Sequence, residues 1–481
     1  MRKARAMSDA IPLRLFNSLT RQLEEFQPVH PGEARVYTCG PTVYNYQHIG
    51  NMRAYVFADT LGRTLRFKGY DLKHIINITD VGHLTSDADA GDDKMEKAAA
   101  LQGKTAWDIA AFYTAEFKRD LKWLNVTDPA KWTIATDYVP AMIEYAKTIA
   151  DKHCYELASG LYFDVSTVPD YGRLARAVTD EGEGRIDDVK GKRHKADFAI
   201  WRKTPPGETR QMEWDSPWGK GAPGWHLECS VMGRAELGMP FDIHTGGIDH
   251  REIHHPNEIA QNQAHECSSH PGATIWMHNN FLNERGGKMS KSAGGFLRLQ
   301  LLVDRGYHPL AYRLMCMQAH YRSELEFSWE GLQAALVRLK RMVMAVEKFR
   351  SSDASSVPDH ALAWIEETVS QDLNTAQLLA SLELTVFGKQ AQDAERLAAV
   401  IRADQVLGLD LLSLDRADLR IRPKTATITE AEIEAKLAAR KEARAAKDFA
   451  TSDALRDELA AAGVEVMDGD PLGWEWKLGE G

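Results

Sequence analysis

The sequence predicts an α/β protein: a doubly wound parallel sheet, then an all-α helical bundle, then a small C-terminal region. Three observations carry that expectation. Strand-like and helix-like patterns alternate from Arg35 to Ile78, helical spacing dominates from Trp329 to about Leu412, and a polar, proline-containing linker (about Ser413 to Thr427) sets off a compact tail. At 481 residues the chain can bury a large core and should divide into roughly two to four domains.

The first clear element is Arg35-Val36-Tyr37-Thr38-Cys39, a strand-like run ended by the turn signal Gly40-Pro41. From Met52 to Phe67 apolar residues (Val56, Leu61, Leu65) recur at helical spacing, and Gly69 closes the segment. Leu72 to Ile78 is Ile-rich and reads as a second buried strand. Strand, helix and strand make a βαβ unit with a right-handed crossover, the Rossmann-like arrangement. Thr105 to Asp151 reads as helical, with Trp107, Ile109, Phe112, Phe117, Leu121 and Trp123 on apolar faces, and Thr179 to Lys195 as a loop. Phe241-Asp242-Ile243-His244 reads as a strand returning to the sheet, followed by a Gly246-Gly247 turn. In the tail, one helix is expected from Glu432 to Phe449. The expected boundaries are 13–328 for the α/β domain, 329–413 for the bundle and 428–481 for the tail. The first of these carries an inserted segment at about 105–225 and a loop at about 283–300.

Composition narrows the function classes. The chain is 44% hydrophobic and 27% charged, and no apolar run is long enough to cross a bilayer. No apolar stretch follows the basic Met1–Arg5, so no secretory signal is expected, and the cysteine usage points to a cytoplasmic protein. Five scattered cysteines are no disulfide framework, and suit a reducing compartment with thiols free for metal or catalysis. A formal net charge of −10 does not exclude a nucleic-acid partner, because a local basic stripe can still dock phosphates.

His48-Ile49-Gly50-Asn51 stands where the first strand hands over to a helix, where doubly wound sheets bind ligands. Gly50 allows close approach of a nucleotide, and His48 can donate to a phosphate oxygen. Lys288-Met289-Ser290-Lys291-Ser292 follows Arg285-Gly286-Gly287, placing two ammonium groups on a glycine-rich loop that can close over a triphosphate. Gly246-Gly247-Ile248-Asp249, after a strand, reads on local grounds as a β-turn. His254 and Glu258 are four apart, on one face of a helix starting near Pro256. With Cys39 and Cys229 they make a chemically reasonable Zn²⁺ set, although packing cysteines and a helical His–Glu pair explain the spacing equally well.

The His48–Asn51 and Lys288–Ser292 motifs resemble the two signatures of class I aminoacyl-tRNA synthetases. Cys39-Gly40-Pro41-Thr42-Val43-Tyr44, Gly224-Trp225-His226-Leu227-Glu228-Cys229-Ser230, Phe241–His244 and the His254–Gln261 segment are similar to the cysteinyl-tRNA synthetase family, over roughly Leu13 to Lys477. The resemblance implies ATP-dependent activation of L-cysteine to cysteinyl-adenylate and transfer to tRNA(Cys). It implies one Zn²⁺ on Cys39, Cys229, His254 and Glu258, with the substrate thiolate as added ligand, and Mg²⁺ accompanying ATP. Such a zinc rejects serine, whose alcohol is a harder and far less acidic ligand.

By the same resemblance, His48, Gly50, Asn51, Gly247, Asp249, Lys288 and Lys291 hold the nucleotide, with His48, Lys288 and Lys291 as the electrostatic workers. Thr79, Trp225 and His226 lie near the substrate's amino and carboxylate groups. Arg444, Asp453 and Asp468 read anticodon bases, and Trp476, if exposed, stacks. The family also implies a monomer. Asn51 departs from the class-wide form, which ends in His.

Two rivals stand beside this reading: a shorter relative that couples cysteine to an amino sugar in mycothiol synthesis, and a non-catalytic paralogue. The tail discriminates the first. Lys436, Arg440, Arg444 and Lys447 form a basic stripe able to meet phosphates, although Glu432, Glu434 and Glu442 also fit a solvated face.

Overall fold

The computed structural model describes residues 11–81, 94–175, 189, 191–284, 287–288, 297–467, 470 and 472–478. Before the first expected strand comes an antiparallel hairpin, β1 (Arg14–Asn17) and β2 (Gln22–Glu25). Strands of four residues are too short for alternation to announce them. β3 (Glu33–Thr38), α1 (Ile49–Phe67) and β4 (Asp71–Ile78) then form the expected βαβ unit.

α2 (Lys94–Gln102) and α3 (Ala106–Trp123) follow, and here the expectation of helix through Asp151 fails. Asn125 adopts φ 51° and Pro129 follows it, ending helical conformation. The Trp- and β-branched run then forms β5 (Lys131–Ile134), parallel to β4, before α4 (Val139–His153). Trp107 and Phe112 are exposed rather than apolar-faced, because the buried stripe of α3 runs through Ile109, Tyr113, Phe117 and Leu121.

β6 (Cys154–Leu157), β7 (Gly160–Phe163), β8 (Phe198–Lys203) and β9 (Gly221–Pro223) make a separate antiparallel sheet. Most of the expected 179–195 loop lies outside the described residues. α5 (Trp225–Leu237), β10 (Phe241–Gly247), α6 (His254–Glu266) and β11 (Ala273–Asn279) return the chain to the main sheet. That sheet is parallel throughout, in the order β11-β10-β3-β4-β5. Gly246 and Gly247 still pair with His278 and Asn279, so the expected turn begins only at Ile248. The β3–β10 neighbourhood is the switch point of the sheet, and Cys39, Thr79 and Gly247 all lie at its carboxyl edge.

β12 (Leu282–Glu284) and β13 (Gly287–Lys288) lead through α7 (Leu299–Asp304) and α8 (Pro309–Met317) to β14 (Leu325–Phe327), in a small sheet ordered β13-β12-β14. The helical region is α9 (Trp329–Phe349), α10 (Ala363–Val369), α11 (Thr375–Phe387) and α12 (Asp393–Leu407), and it shares one core with α1, α3 and α8. Arg313, wholly buried on α8, locks the two together. Its Nη2 meets Asp59 Oδ2 at 2.6 Å on α1, and its Nε donates to Leu407 O at 2.7 Å on α12.

In the tail, α13 (Glu430–Ala445) and α14 (Phe449–Ala461) replace the single expected helix. Lys447 takes a left-handed φ of 57° and the Asp448 side chain caps α14 by accepting from Thr451 N. β15 (Val464–Val466) and β16 (Trp474–Trp476) close a small core of Ile433, Leu459, Val464, Trp474 and Trp476. Trp476 is therefore buried, not a stacking surface. Arg416, in the linker, joins Asp470 at 2.9 Å and Glu475 at 2.6 Å, docking the tail. Among the described residues no helix is long and apolar enough to cross a membrane.

Candidate active site and metal centre

Cys39 continues β3 by one residue, its N–H bonded to Thr245 O on β10. Cys229 lies in the second turn of α5, and α6 begins at His254, which brings His254 and Glu258 to one face. Three elements remote in sequence thus converge. Cys39 Sγ is 3.9 Å from Cys229 Sγ and 4.0 Å from Glu258 Oε1. His254 Nε2 is 3.4 Å from Cys229 Sγ and 3.1 Å from Glu258 Oε1. The ligand atoms of Cys39, Cys229, His254 and Glu258 all lie within 4.8 Å of one another, and all four residues are buried. Cys39, His244, His255 and Glu258 form an overlapping set of the same span.

Surrounding contacts prepare the donors for a metal. His254 Nδ1 faces His226 Nδ1 at 2.8 Å, which turns Nε2 into the cluster. His244 Nε2 holds the second oxygen of Glu258 at 2.8 Å, leaving Oε1 toward the thiols. His255 Nε2 lies 3.4 Å from Cys39 Sγ, and its Nδ1 meets His278 Nε2 at 2.8 Å, which in turn reaches Ser18 Oγ. Sequence reasoning passed over His244, His255 and His278 as site residues. A signal was present for the first two: His244, His250, His254 and His255 stand within one short stretch.

Charge is concentrated where solvent is absent. Burial pushes the Cys39 thiol well up, reinforced by Cys229 beside it. The hydrogen bond from Cys39 outweighs burial at Cys229 and brings its thiol down to about 6. Burial disfavours charge on His254, yet the Cys229 thiolate and Glu258 raise it to about 10. Burial likewise opposes ionisation of Glu258, but His244 and His254 hold it down to about 2. Two soft sulfurs, an imidazole and a carboxylate, enclosed and oriented by outer hydrogen bonds, fit Zn²⁺.

Thr79 Oγ1 donates to Glu228 Oε2 at 2.9 Å and accepts from Asn77 Nδ2 at 3.1 Å, so its hydroxyl is engaged by Glu228, another residue the sequence reading did not single out. Trp225 is partly exposed, with its ring centroid 4.6 Å from that of His254, whereas His226 is buried behind His254.

At the other motif His48 is the N-cap of α1, its Nδ1 accepting from Asn51 N at 3.1 Å. With Nδ1 accepting, the neutral ring carries its proton on Nε2. Gly50 leaves room for that ring: a Cβ there would stand 2.9 Å from His48 Cε1 and Nδ1. Asn51 is exposed and serves the cap through its backbone N–H. The Asp249 carboxylate lies over Gly247 and is exposed. Lys288 ends β13, its backbone opposite Asn283 of β12; its side chain and all of Lys291 lie outside the described residues. Arg444 and Asp453 are exposed on α13 and α14, Asp453 with Arg456 3.3 Å away, and Asp468 lies outside the described residues.

A family model described as tRNA synthetases class I (C) catalytic domain matches residues 25–337. A second, described as Cysteinyl-tRNA ligase anticodon binding domain, matches residues 429–471. The Cysteine--tRNA ligase of Novosphingobium aromaticivorans is 70% identical over 479 residues, covering 97% of each chain. The chain belongs to the cysteinyl-tRNA synthetases. That of Zymomonas mobilis is 52% identical, over 97% of this chain and 98% of its own. Among solved structures, Mycobacterium tuberculosis methionyl-tRNA synthetase bound by methionyl-adenylate superposes with a TM-score of 0.50 at 14% identity, covering 79% of this chain and 91% of that one. The LeuRS–tRNA complex of Agrobacterium radiobacter gives 0.53 at 13%, covering 82% and 86%. These two speak for the fold alone. As a cysteinyl-tRNA synthetase the chain is a cysteine–tRNA ligase, acting on ATP, cysteine and tRNA(Cys), and the matched tail separates it from the shorter amino-sugar ligase.

Proposed function

We propose that this ligase selects its substrate by the thiol, at one Zn²⁺ held by Cys39, Cys229, His254 and Glu258. The carrying observation is the enclosed S, S, N, O cluster, whose His254 and Glu258 are each oriented by a further histidine. When bound, the ion supplies a soft centre that prefers a thiolate to an alcohol. Trp225 walls the site, and Thr79 and Glu228 stand near enough to Cys229 to order the substrate's amino end.

The cysteine carboxylate attacks the α-phosphate of ATP, and pyrophosphate leaves with the electron pair of the broken P–O bond. His48, through Nε2–H, and Lys288 and Lys291 stabilise the charge that develops on the phosphates, with Mg²⁺ accompanying ATP. Gly50, Asn51, Gly247 and Asp249 seat the nucleotide. The terminal ribose hydroxyl of tRNA(Cys) then attacks the mixed anhydride and releases AMP. Arg444, Asp453 and Asp468 read the anticodon. We assign these tasks to a 13–328 catalytic domain, a 329–413 bundle and a 428–481 tail, in a cytoplasmic monomer.

Cys229→Ser should retain the fold by circular dichroism while zinc falls from one per chain to none and cysteine-dependent ATP–pyrophosphate exchange is lost. Unchanged zinc content by elemental analysis would remove Cys229 from the ligand set. Deleting residues from Ile428 onward should spare exchange and weaken tRNA charging; equal charging would show that the tail does not recognise tRNA.

A further inference from the structure

Arg53 stands five residues beyond His48 on α1 and is 2% exposed. Its guanidinium donates from Nη1 to Asn280 O at 2.9 Å and Phe281 O at 2.5 Å. Nη2 donates to His320 O at 3.3 Å and Ser323 O at 2.7 Å. Among the described residues every hydrogen-bond partner is a backbone carbonyl and none is a carboxylate. A buried cation without a counter-charge is a poor way to gain stability, so what Arg53 contributes is geometry: four carbonyls from two loops held by one planar fork.

Those loops feed the small sheet. Asn280 and Phe281 run directly into β12, and Ser323 leads into β14. The two strands pair in parallel through Leu282–Leu325, Asn283–Glu326 and Glu284–Phe327. On its other edge β12 pairs with β13, Asn283 opposite Lys288. The far end of the same segment is also fastened to α1, because Ile49 N donates to Leu297 O at 2.8 Å. The stretch that carries Lys288 and Lys291 is therefore tied at both ends to the helix start that carries His48, at one end by Arg53.

We propose that Arg53 is a positioning residue for adenylate formation, fixing the strand of Lys288 in register with the helix start of His48 so that both reach the same phosphates. The proposal rests on the reading of His48 and Lys288 as phosphate-binding groups. A displacement of about 1 Å at such groups costs on the order of 100-fold in rate.

The test is a double-mutant cycle in the full-length, zinc-loaded enzyme, read by cysteine-dependent ATP–pyrophosphate exchange. Arg53→Gln should lower kcat on the order of 10–100-fold with zinc content and the KM for cysteine unchanged, and Arg53→Lys should recover part of the loss. Because Arg53 acts through the stretch of Lys288 and Lys291, Arg53→Gln combined with Lys288→Ala should lose clearly less than the product of the two single losses. Multiplying losses, or a cysteine KM that rises with loss of zinc, would overturn the positioning role. If Arg53→Gln does not fold, Arg53→Lys enters the same cycle with the same expected non-additivity. A fully active Lys288→Ala would sink the underlying phosphate reading. An impaired Lys288→Ala beside a fully active Arg53→Gln would defeat the Arg53 inference alone.

Discussion

At the residue scale, two positions at the start of α1 show how local packing sets what the site can do. Gly50 makes room for the His48 ring, which a Cβ would meet at 2.9 Å. Gly50→Ala should therefore displace His48 and slow exchange about 10-fold or more while zinc content and cysteine binding stay normal; an unchanged kcat would show that the ring moves aside at no cost. Asn51 contributes only its backbone to the cap, so its departure from the class-wide His carries no structural penalty.

His74 is a second test at this scale. Buried on β4 with Nε2 2.7 Å from Thr38 Oγ1 of β3, it is pushed down by burial to about 4. Its folded pKa lies below the unfolded value near ~6.5, so the unfolded chain takes up the proton first. The stability contributed is present above that value and falls as pH drops toward 4, by up to about 3 kcal/mol. Denaturant midpoints between pH 7 and 4.5 should fall with a slope that His74→Gln reduces by about one proton; an equal slope would show that His74 is not kept neutral in the fold.

Legibility was uneven here. His254 and Glu258 could be paired from helical spacing, but no spacing brings Cys39 to Cys229. Only the adjacency of β3 with β10, and α5 packed on β3 and β4, brings those two sulfurs together. Their association came from family likeness, and the outer histidines escaped because a buried histidine on a strand looks like any other polar residue in a pattern.

At the scale of elements, long periodic segments were legible and short ones were not. α1 and α9 carry several turns of apolar repeat, whereas β1, β2 and β5 are four residues each and depend on pairing partners far along the chain. The tail shows the same limit. Helical composition continues through Lys447, and only the left-handed backbone there splits α13 from α14. Trp476 was read as a potential stacking surface, but it sits edge-on to Trp474 in the tail core, and Arg420 covers the outer face of Trp474 at 3.6 Å. Trp476→Ala should therefore cost the tail about 3–5 kcal/mol, seen as early proteolysis after Ser413 and reduced charging with intact exchange. A stable tail with reduced charging would return Trp476 to a recognition role.

At the scale of the whole molecule, the α/β body and the helical bundle behave as one packed unit through a shared core and through Arg313, which pairs with Asp59 on α1 and donates to Leu407 O on α12. Both charges are buried; Asp59 also receives Arg63 at 2.7 Å and Thr127 N at 2.9 Å. Burial opposes ionisation of Asp59, but Arg313 and Arg63 leave its pKa below the ordinary carboxylate value. Its contribution is therefore complete above about pH 4 and is lost only as pH falls through the lower folded value. Asp59→Asn should cost about 3–5 kcal/mol by leaving Arg313 buried and unpaired, with the loss independent of pH from 5 to 8. A loss below about 1 kcal/mol would mean that the shared apolar core, not the Asp59-anchored Arg313, holds the two parts together.

The central claim is that the buried cysteine, histidine and glutamate cluster chooses the amino acid by its thiol. The most direct measurement is ATP–pyrophosphate exchange by the zinc-loaded enzyme with cysteine and with serine as alternative substrates. A ratio of kcat/KM of about 10⁴ or more in favour of cysteine, lost together with bound zinc in Cys229→Ser, is the predicted result. Serine-dependent exchange within about 10-fold of cysteine, or full cysteine selectivity in enzyme stripped of zinc, would contradict it.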